Sequence, residues 1–199
     1  MARHPTPGAR QRILDTAAKL FNEEGVRAVG LQQVIDACGC GKSLLYREFA
    51  SKDELVVAWL QQCRGTWDEL VARATEGLDE DPAAQLVAIV AVVAEQVSVP
   101  GARGCALRNT HAEFPDPDHP AHRVAVEHVA AMRQQIHDIA RRTTAADPDT
   151  LADRLMLLLD GVYSNGIMLG PGGAAPAAVS FAEDLVRSAT REDAESAAR

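Results

Sequence analysis

The segment from Leu31 to Leu55 constrains the fold more than any other part of this chain. It opens with apolar residues at helical spacing, namely Leu31, Val34, Ile35 and Cys38. Gly39 suits the left-handed position that commonly follows a helix C-terminus. Since a second helix must begin near Lys42 and continue to Phe49, only a tight glycine-containing turn joins the two helices. This arrangement predicts a helix-turn-helix.

The second helix of this segment has two chemically different faces. Leu45 and Phe49 lie four residues apart and are predicted to face the core. The outward positions carry donors suited to phosphates and base edges: Lys42, Ser43, Tyr46 and Arg47. Ser51, with Glu54 three residues later, is a capping box that starts a third helix. Lys52, in the first turn of that helix, lies beside unsatisfied backbone N–H groups and is predicted to anchor a phosphate.

Residues 10–55 resemble the DNA-binding domain of the TetR (tetracycline-repressor) family of transcriptional regulators. The matching positions are Ile13, Ala17, Leu20, Phe21, Gly25, Val34, Ile35, Gly39, Lys42, Leu45, Tyr46, Phe49, Ser51, Lys52 and Leu55. The resemblance implies a regulator that binds double-stranded DNA as a homodimer at a palindromic operator, usually as a repressor, and is released by a small molecule. The residues expected to contact DNA are Gln32, Gln33, Lys42, Ser43, Leu44, Tyr46, Arg47 and Lys52.

Three positions depart from the usual pattern of that family. The family usually has Thr where this chain has Leu31, and a small or hydroxyl residue where it has Leu44. Leu44 either packs inside the domain or contacts a thymine methyl group. Glu48 would be repelled by phosphate unless Lys52 or Arg47 pairs with it; alternatively it accepts a hydrogen bond from a cytosine amino group.

The charge of the chain is distributed unevenly. The formal net charge is -8, which argues against a nucleic-acid partner if it is taken alone. Residues 1–52 contain eight Lys or Arg against five Asp or Glu, a net charge of +3, so the remainder carries -11. A basic N-terminal part on an acidic body is typical of a protein that meets DNA with one end only.

Length and composition predict an all-α protein. A chain of 199 residues with 4% aromatic residues and many Ala and Leu favours helices, about nine in all. We expect an N-terminal arm and helix-turn-helix domain over residues 1–54 and a helical ligand-binding and dimerisation domain over 55–199. The arm, with Arg3 and Arg10, is either a solvated tail or a minor-groove contact. It has no signal-peptide pattern, and the longest apolar run, residues 86–94, is too short to span a membrane. A soluble, cytoplasmic protein is expected.

Helical patterns continue through the body. Helices are predicted from Asp81-Pro82 to about Val97, over 102–114, from Pro120 onwards, from Asp147-Pro148 to about Leu169, and near the C-terminus. The last two of these helices are apolar on two faces, which requires two packing partners. They are therefore predicted to form a four-helix interface with a second copy of the chain, through Leu155, Leu158, Leu159, Val162, Phe181 and Leu185. The alternative is that both helices are buried within one chain.

The resemblance also implies an effector pocket in the body. The predicted lining consists of Trp67, Cys105, Asn109, His111, Met132 and Tyr163. If a ligand binds there and shifts the DNA-binding parts, then ligand and operator affinities are reciprocally coupled, typically by about 1–3 kcal/mol. The identity of the ligand does not follow from the sequence.

A rival hypothesis concerns residues 105–122. This segment contains His111, Glu113, Asp116, Asp118, His119 and His122, which are ligand types for a metal and so for a metal-dependent hydrolase. The spacings are not those of the usual zinc motifs, and no other catalytic motif accompanies them. We therefore predict no metal, no cofactor and no enzymatic activity.

The four cysteines are Cys38, Cys40, Cys63 and Cys105. They are too few and too irregularly spaced for a disulfide framework. Cys38 and Cys40 invite a metal or redox role, but their spacing is not that of the C-x-x-C motif. We interpret both as small apolar residues at the turn of the helix-turn-helix.

Overall fold

The computed structural model describes residues 8–196, without the side chains of Pro171 and of residues 191–196. Over this range the chain forms nine α-helices and two short 3₁₀ segments, and it contains no β-strand. The all-α prediction is confirmed. The helices are α1 (Ala9–Glu24), α2 (Leu31–Cys38), α3 (Lys42–Glu48), α4 (Lys52–Ala74), α5 (Pro82–Ser98), α6 (Ala106–Glu113), α7 (Pro120–Ala140), α8 (Pro148–Leu169) and α9 (Ala178–Ser196).

Capping side chains and prolines determine where α5 and α8 begin. The Asp81 side chain caps α5 by accepting from the Ala84 N–H at 2.9 Å, and Asp147 caps α8 by accepting from the Thr150 N–H at 3.0 Å. Each cap is followed by a proline, which needs no N–H partner at the first helical position. These boundaries agree with the sequence prediction because capping depends only on neighbouring residues.

Helix α6 is shorter than predicted. It begins at Ala106, whereas the sequence pattern indicated a start near Ala102. Gly101 and Gly104 both adopt left-handed backbone conformations, with φ of 81° and 77°. A helix cannot pass through such residues, and the preceding segment is therefore a loop.

The chain packs as two compact units. Of the described residues, unit 1 comprises 8–65 and 106–127, and unit 2 comprises 66–105 and 128–196. Helices α4 and α7 thus each contribute residues to both units. The sequence predicted a DNA-binding part at 1–54 and a ligand-binding and dimerisation part at 55–199. That division concerns what each part binds, and it stays a prediction.

Unit 1 contains the N-terminal helices and α6. Phe21 of α1 and Trp59 of α4 are buried, with ring centroids 5.3 Å apart. Leu45 and Phe49 are fully buried, as their four-residue spacing predicted. Burial of these apolar side chains fixes the orientation of α3, because each contributes about 1.5–3 kcal/mol of transfer free energy.

Unit 2 is organised around α5, which packs against α8 and α9. Helix α5 buries Leu86, Ile89, Val90, Val93, Ala94 and Val97 along one side and leaves its other residues up to 94 at most half-exposed, which confirms the helix predicted from Asp81-Pro82 to about Val97. Within residues 8–196, no helix combines the length and the apolar character that crossing a bilayer requires.

Three residues predicted at a dimer interface lie instead in the core of unit 2. Leu155, Leu159 and Val162 are each at most 3% exposed and belong to this core. Because the single chain already buries these side chains, they offer almost no surface to a second chain. Leu158 and Leu185 are partly buried against the same core, while Phe181 is 53% exposed. The exposed apolar residues of α8 are Leu157, Met168 and Leu169.

Gly166 lies where α8 approaches α5 closely. A Cβ atom at this position would lie 2.3 Å from Val97 Cγ2 and 2.8 Å from Val97 Cβ. Since Val97 Cβ is fixed to the backbone of α5, the two helices would have to separate.

We expect Gly166→Ala to lower the free energy of unfolding by about 1–3 kcal/mol through overpacking. The matched control is Gly65→Ala, in the interior of α4, where an added Cβ meets nothing within 4 Å. That change should stabilise the protein by about 0.5–1 kcal/mol, because alanine is the better helix former. Urea unfolding of both variants measures the difference, and equal effects would contradict the close packing.

A network of charged groups joins α7 to α8. The buried His137 ring places Nδ1 3.0 Å from Asp149 Oδ1 and Nε2 3.1 Å from Asp153 Oδ1. Hydrogen bonds from His137 and Arg141 hold the pKa of Asp149 below its ordinary value of 3.8. Hydrogen bonds from Arg133 and His137 lower the pKa of Asp153 in the same way.

These lowered pKa values predict a loss of stability in acid. A carboxylate whose pKa is lower in the folded state stabilises the fold above the unfolded-state pKa, and that contribution disappears as the pH falls through the folded-state pKa. The window therefore lies below pH 3.8. Asp153→Asn should lower stability at neutral pH and flatten its decline in this acid range. Urea unfolding at several pH values is the measurement, and a variant with the wild-type slope would disprove this role for Asp153.

Candidate nucleic-acid interface

Helices α2 and α3 meet at the turn formed by residues 39–41. Gly39 adopts a left-handed conformation with φ of 62° and ψ of 26°. The N–H of Gly39 donates to the Asp36 carbonyl oxygen at 3.3 Å, and the N–H of Cys40 donates to the Ile35 carbonyl oxygen at 3.2 Å. These bonds close the C-terminus of α2 as the sequence predicted, and α3 follows with Gly41 as its N-cap.

Helix α3 has the two faces that the sequence predicted. Leu45 and the following Phe49 are completely buried, and Leu44 is half-buried. The opposite side is exposed and carries Lys42, Ser43, Tyr46 and Arg47. Tyr46 is 45% exposed, which is high for an aromatic side chain and leaves its ring available to a ligand.

Two contacts organise the exposed face of α3. The Lys42 ammonium lies 5.9 Å from the centroid of the Tyr46 ring, within cation–π range. Arg47 donates from Nε and from a terminal nitrogen to Glu48 Oε1, at 3.2 and 3.1 Å. Of the partners that the sequence offered for Glu48, the structure therefore shows Arg47. The acidic side chain is neutralised locally, and Arg47 is held beside the exposed face.

Helix α2 places two of the predicted DNA contacts, Gln32 and Gln33, and both are already hydrogen-bonded to acidic side chains. Gln32 is exposed, but its amide donates to Asp36 Oδ1 at 2.8 Å. Gln33 is half-buried and donates to Glu24 Oε1 at 2.6 Å. Each amide uses one donor in these bonds and keeps a second N–H and its carbonyl oxygen for other partners.

Lys52 lies at the start of α4, as predicted, and its proposed phosphate contact stays a prediction. Its ammonium donates to the Arg27 carbonyl oxygen at 3.4 Å. Burial lowers the pKa of Lys52, and the neighbouring carboxylates Asp53 and Glu113 partly oppose that effect. Lys52 thus contacts the loop after α1 and is half-buried, whereas Lys42 is exposed.

The capping box at the start of α4 is present in a modified form. Ser51 Oγ accepts from the Glu54 N–H at 3.1 Å. The Glu54 carboxylate accepts from the N–H of Ala50 at 2.8 Å, one residue before the usual position. Two backbone donors are thereby satisfied at the junction between α3 and α4.

Arg10 belongs to this support structure and not to a tail. It lies in α1, donates to the Glu48 carbonyl oxygen and stacks over the Phe49 ring at 4.1 Å. Its guanidinium group also lies 3.8 Å from Glu54 Oε1. Arg10 therefore holds the C-terminus of α3 in place. Residues 1–7, including Arg3, lie outside the described residues.

Glu113 is a supporting residue that the sequence did not indicate in this role. Its carboxylate accepts from the Val26 N–H at 3.1 Å and the Arg27 N–H at 2.7 Å. The Arg27 guanidinium lies 5.5 Å from the Phe114 ring centroid. The end of α6 is thus bonded to the loop between α1 and α2. Since these partners are 86 and 87 residues apart, no local sequence signal could reveal the contact.

The turn between α2 and α3 also contains a disulfide, between Cys38 and Cys40. The prediction that both cysteines serve only as small apolar residues is therefore wrong. Their Cα atoms lie 5.3 Å apart, within the range that a disulfide spans. Both residues are partly exposed.

The predicted effector-pocket residues lie in both units. Trp67, Met132 and Tyr163 are buried in the core of unit 2, and Cys105 packs against that core. Trp67 Nε1 donates to Gln135 Oε1 at 3.2 Å. The remaining two predicted residues, Asn109 and His111, lie on α6 in unit 1.

The possible metal ligands of residues 105–122 make other contacts. The Glu113 carboxylate is used by two backbone donors, and His122 Nδ1 lies 2.8 Å from the Phe114 carbonyl oxygen. The rings of His111 and His122 are 4.5 Å apart. Within the described part of the chain, no three His, Cys, Asp or Glu side chains are grouped so that they could hold a metal ion.

The known proteins that resemble this chain are transcriptional regulators of one family. The family model for bacterial regulatory proteins of the tetR family matches residues 13–59. A TetR-family transcriptional regulator from Streptomyces coelicolor is 28% identical and superimposes with a TM-score of 0.86, covering 92% of this chain and 96% of its own. A putative TetR transcriptional regulator from Streptomyces avermitilis is 30% identical with a TM-score of 0.78, covering 91% of this chain and 97% of its own.

A shorter part of the chain matches a protein named as a repressor. The HTH-type transcriptional repressor KstR2 of Rhodococcus jostii is 40% identical over 76 residues, which are 36% of each chain. The family model covers the helix-turn-helix, and the Streptomyces avermitilis relative is matched over nearly its whole length. This chain belongs to the TetR family of transcriptional regulators.

Proposed function

We propose that this protein is a ligand-responsive repressor that binds a palindromic operator as a homodimer. The observation that carries the proposal is the exposed face of α3, where Lys42, Ser43, Tyr46 and Arg47 are exposed together over a fully buried Leu45. A helix with this distribution enters the major groove with its donors toward base edges and phosphates.

A dimer follows from the size of that face. One short helix contacts few base pairs, whereas two recognition helices about one helical turn (~34 Å) apart contact a palindrome. Leu157 and Met168 of α8 are 72% and 79% exposed, and Phe181 of α9 is 53% exposed. Gly161, between Leu157 and Met168 on the same side of α8, leaves space for close approach. These residues replace Leu155, Leu159 and Val162 in the proposed interface.

The effector site is proposed within the body of the protein. Trp67, Met132 and Tyr163 of unit 2 are large side chains with polar or polarisable atoms in an otherwise aliphatic core. With Cys105 beside that core, they support a small, mainly apolar effector. Asn109 and His111 remain predicted contacts. Nothing in the described residues supports the metal-dependent hydrolase, and we propose a regulator without enzymatic activity, acting in the cytoplasm where its DNA lies.

Recovery of genomic DNA with the tagged full-length protein tests the proposal. The expected result is a small number of enriched sites with an inverted repeat, whose neighbouring genes are expressed more strongly when the protein is deleted. A protein that recovers no DNA above the background of an untagged strain would refute the DNA-binding function. Reduced expression on deletion would indicate an activator and would refute only repression.

A further inference from the structure

The disulfide between Cys38 and Cys40 encloses only Gly39. A cross-link stabilises a fold mainly by restricting the unfolded chain, and this effect grows with the number of residues in the loop. A loop of three residues gains little in this way. The disulfide must therefore act locally, on the turn that it closes.

That turn determines how α3 is held relative to α2. Gly39 is in a left-handed conformation, and the adjoining N–H groups bond back to Asp36 and Ile35 of α2. Cys40 lies two residues before Lys42, the first residue of α3. Without the cross-link, the two glycines at 39 and 41 give this connection many more accessible conformations.

Both cysteines are partly exposed, so small oxidants and thiol reductants can reach them. Disulfides of proteins in reducing compartments are usually transient and redox-sensing. A disulfide that contributes little global stability, is accessible and lies in the DNA-binding turn fits that class.

We propose that Cys38 and Cys40 form a reversible redox-modification site that sets the DNA affinity of the helix-turn-helix, with the disulfide form binding more tightly. This inference rests on the proposed DNA-binding function. The closed ring pre-organises the turn, so the disulfide form loses less conformational entropy when α3 enters the groove.

The chemistry balances with a peroxide as oxidant. One thiolate attacks a peroxide oxygen, breaks the O–O bond and becomes a sulfenic acid, and the first water leaves. The second thiol attacks the sulfenic sulfur, forms the S–S bond and releases the second water. The two cysteines together lose two electrons and two protons to hydrogen peroxide. Two equivalents of a small thiol such as glutathione reverse the reaction through a mixed disulfide and are themselves oxidised to a disulfide.

The test compares the two redox forms of the full chain. Protein is treated with hydrogen peroxide or with dithiothreitol, and alkylation with mass spectrometry confirms the state of Cys38 and Cys40. Binding to DNA from upstream of the protein's own gene is then measured by fluorescence anisotropy. We expect reduction to weaken binding roughly fivefold, the effect of returning about one backbone residue to disorder. Amide hydrogen exchange in residues 40–45 should be faster in the reduced form.

Two variants complete the design. Cys38→Ser with Cys40→Ser should bind as the reduced wild type does and should not respond to peroxide. Cys63→Ser, in α4, is the matched control and should respond as the wild type does. The proposal is overturned if the disulfide does not form in peroxide, or if the two confirmed redox forms bind DNA with equal affinity. In that second case only this proposal fails. If neither form binds this DNA and the tagged protein also recovers no genomic DNA, the proposed function fails with it.

Discussion

Replacement of Arg47 with alanine is expected to weaken operator binding by about 1–3 kcal/mol, roughly 5- to 150-fold, if this side chain contacts a base. Arg47 is exposed on α3, and its guanidinium is held by Glu48 Oε1 at 3.1 and 3.2 Å. In the complex it would exchange that carboxylate for a base edge, where two parallel donors are matched by guanine O6 and N7. Specificity should also relax at the base pair concerned.

Glu48→Gln tests the role of Arg47 with a change that should strengthen DNA binding and not weaken it. In the proposed complex Arg47 leaves Glu48 for a base edge, so the Glu48 carboxylate would lose the partner that neutralises it in the free protein. Its replacement by the neutral amide should strengthen binding, mostly at low salt concentration, because repulsion between the carboxylate and phosphate is removed. An Arg47→Ala variant with wild-type affinity would disprove the base contact of Arg47.

Two further variants separate base contact from general charge. Lys42→Ala should weaken binding to all sequences alike and reduce the salt dependence by the equivalent of about one phosphate contact. Arg73→Ala removes an exposed positive charge at the end of α4, in unit 2, and should leave affinity nearly unchanged. Fluorescence anisotropy with operator and mismatched DNA at several salt concentrations measures all four variants.

Local features of this chain could be predicted well from its sequence. Gly39 ends α2, and the Asp-Pro pairs at 81–82 and 147–148 begin α5 and α8, as predicted. Each of these outcomes depends on steric limits or hydrogen bonds within a few residues. The two faces of α3 were predictable for the same reason, since helical spacing alone separates Leu45 from Arg47.

Contacts between distant segments could not be predicted in this way. Glu113 bonds to the backbone of Val26 and Arg27, and Lys52 bonds to the Arg27 carbonyl oxygen. Both depend on the packing of whole helices, which one sequence does not reveal. The sequence therefore predicted Lys52 as a phosphate anchor, which stays a prediction, and did not reveal its additional hydrogen bond to Arg27.

Helix α8 shows a second limit of prediction from sequence, because it is apolar on two faces. Periodicity indicated that both sides of α8 are apolar, but it could not show which side faces the core of its own chain. The structure buries Leu155, Leu159 and Val162 and exposes Leu157 and Met168. The packing of α5 against α8 determines which face of α8 is buried. At Gly166 the side chain of Val97 from α5 fills the space beside the glycine.

Leu157→Glu is expected to convert the protein to a monomer and to reduce operator affinity by on the order of 100-fold or more. Leu157 is 72% exposed in the single chain, so glutamate there should not disturb the core of unit 2. In a two-fold interface the substitution occurs twice, and two carboxylates would be buried in an apolar contact without partners. A monomer binds only one half-site and loses the high effective concentration of the second recognition helix.

Val126→Glu is the matched control, because Val126 is also an exposed apolar residue, at 46%, but lies on α7 in unit 1. It should remain dimeric and bind the operator as the wild type does. Sedimentation velocity gives the oligomeric state and anisotropy the affinity. A Leu157→Glu protein that sediments as a dimer with full affinity would place the interface elsewhere. A monomer that retains full affinity would instead show that one recognition helix suffices, contrary to the palindromic mode of binding proposed here.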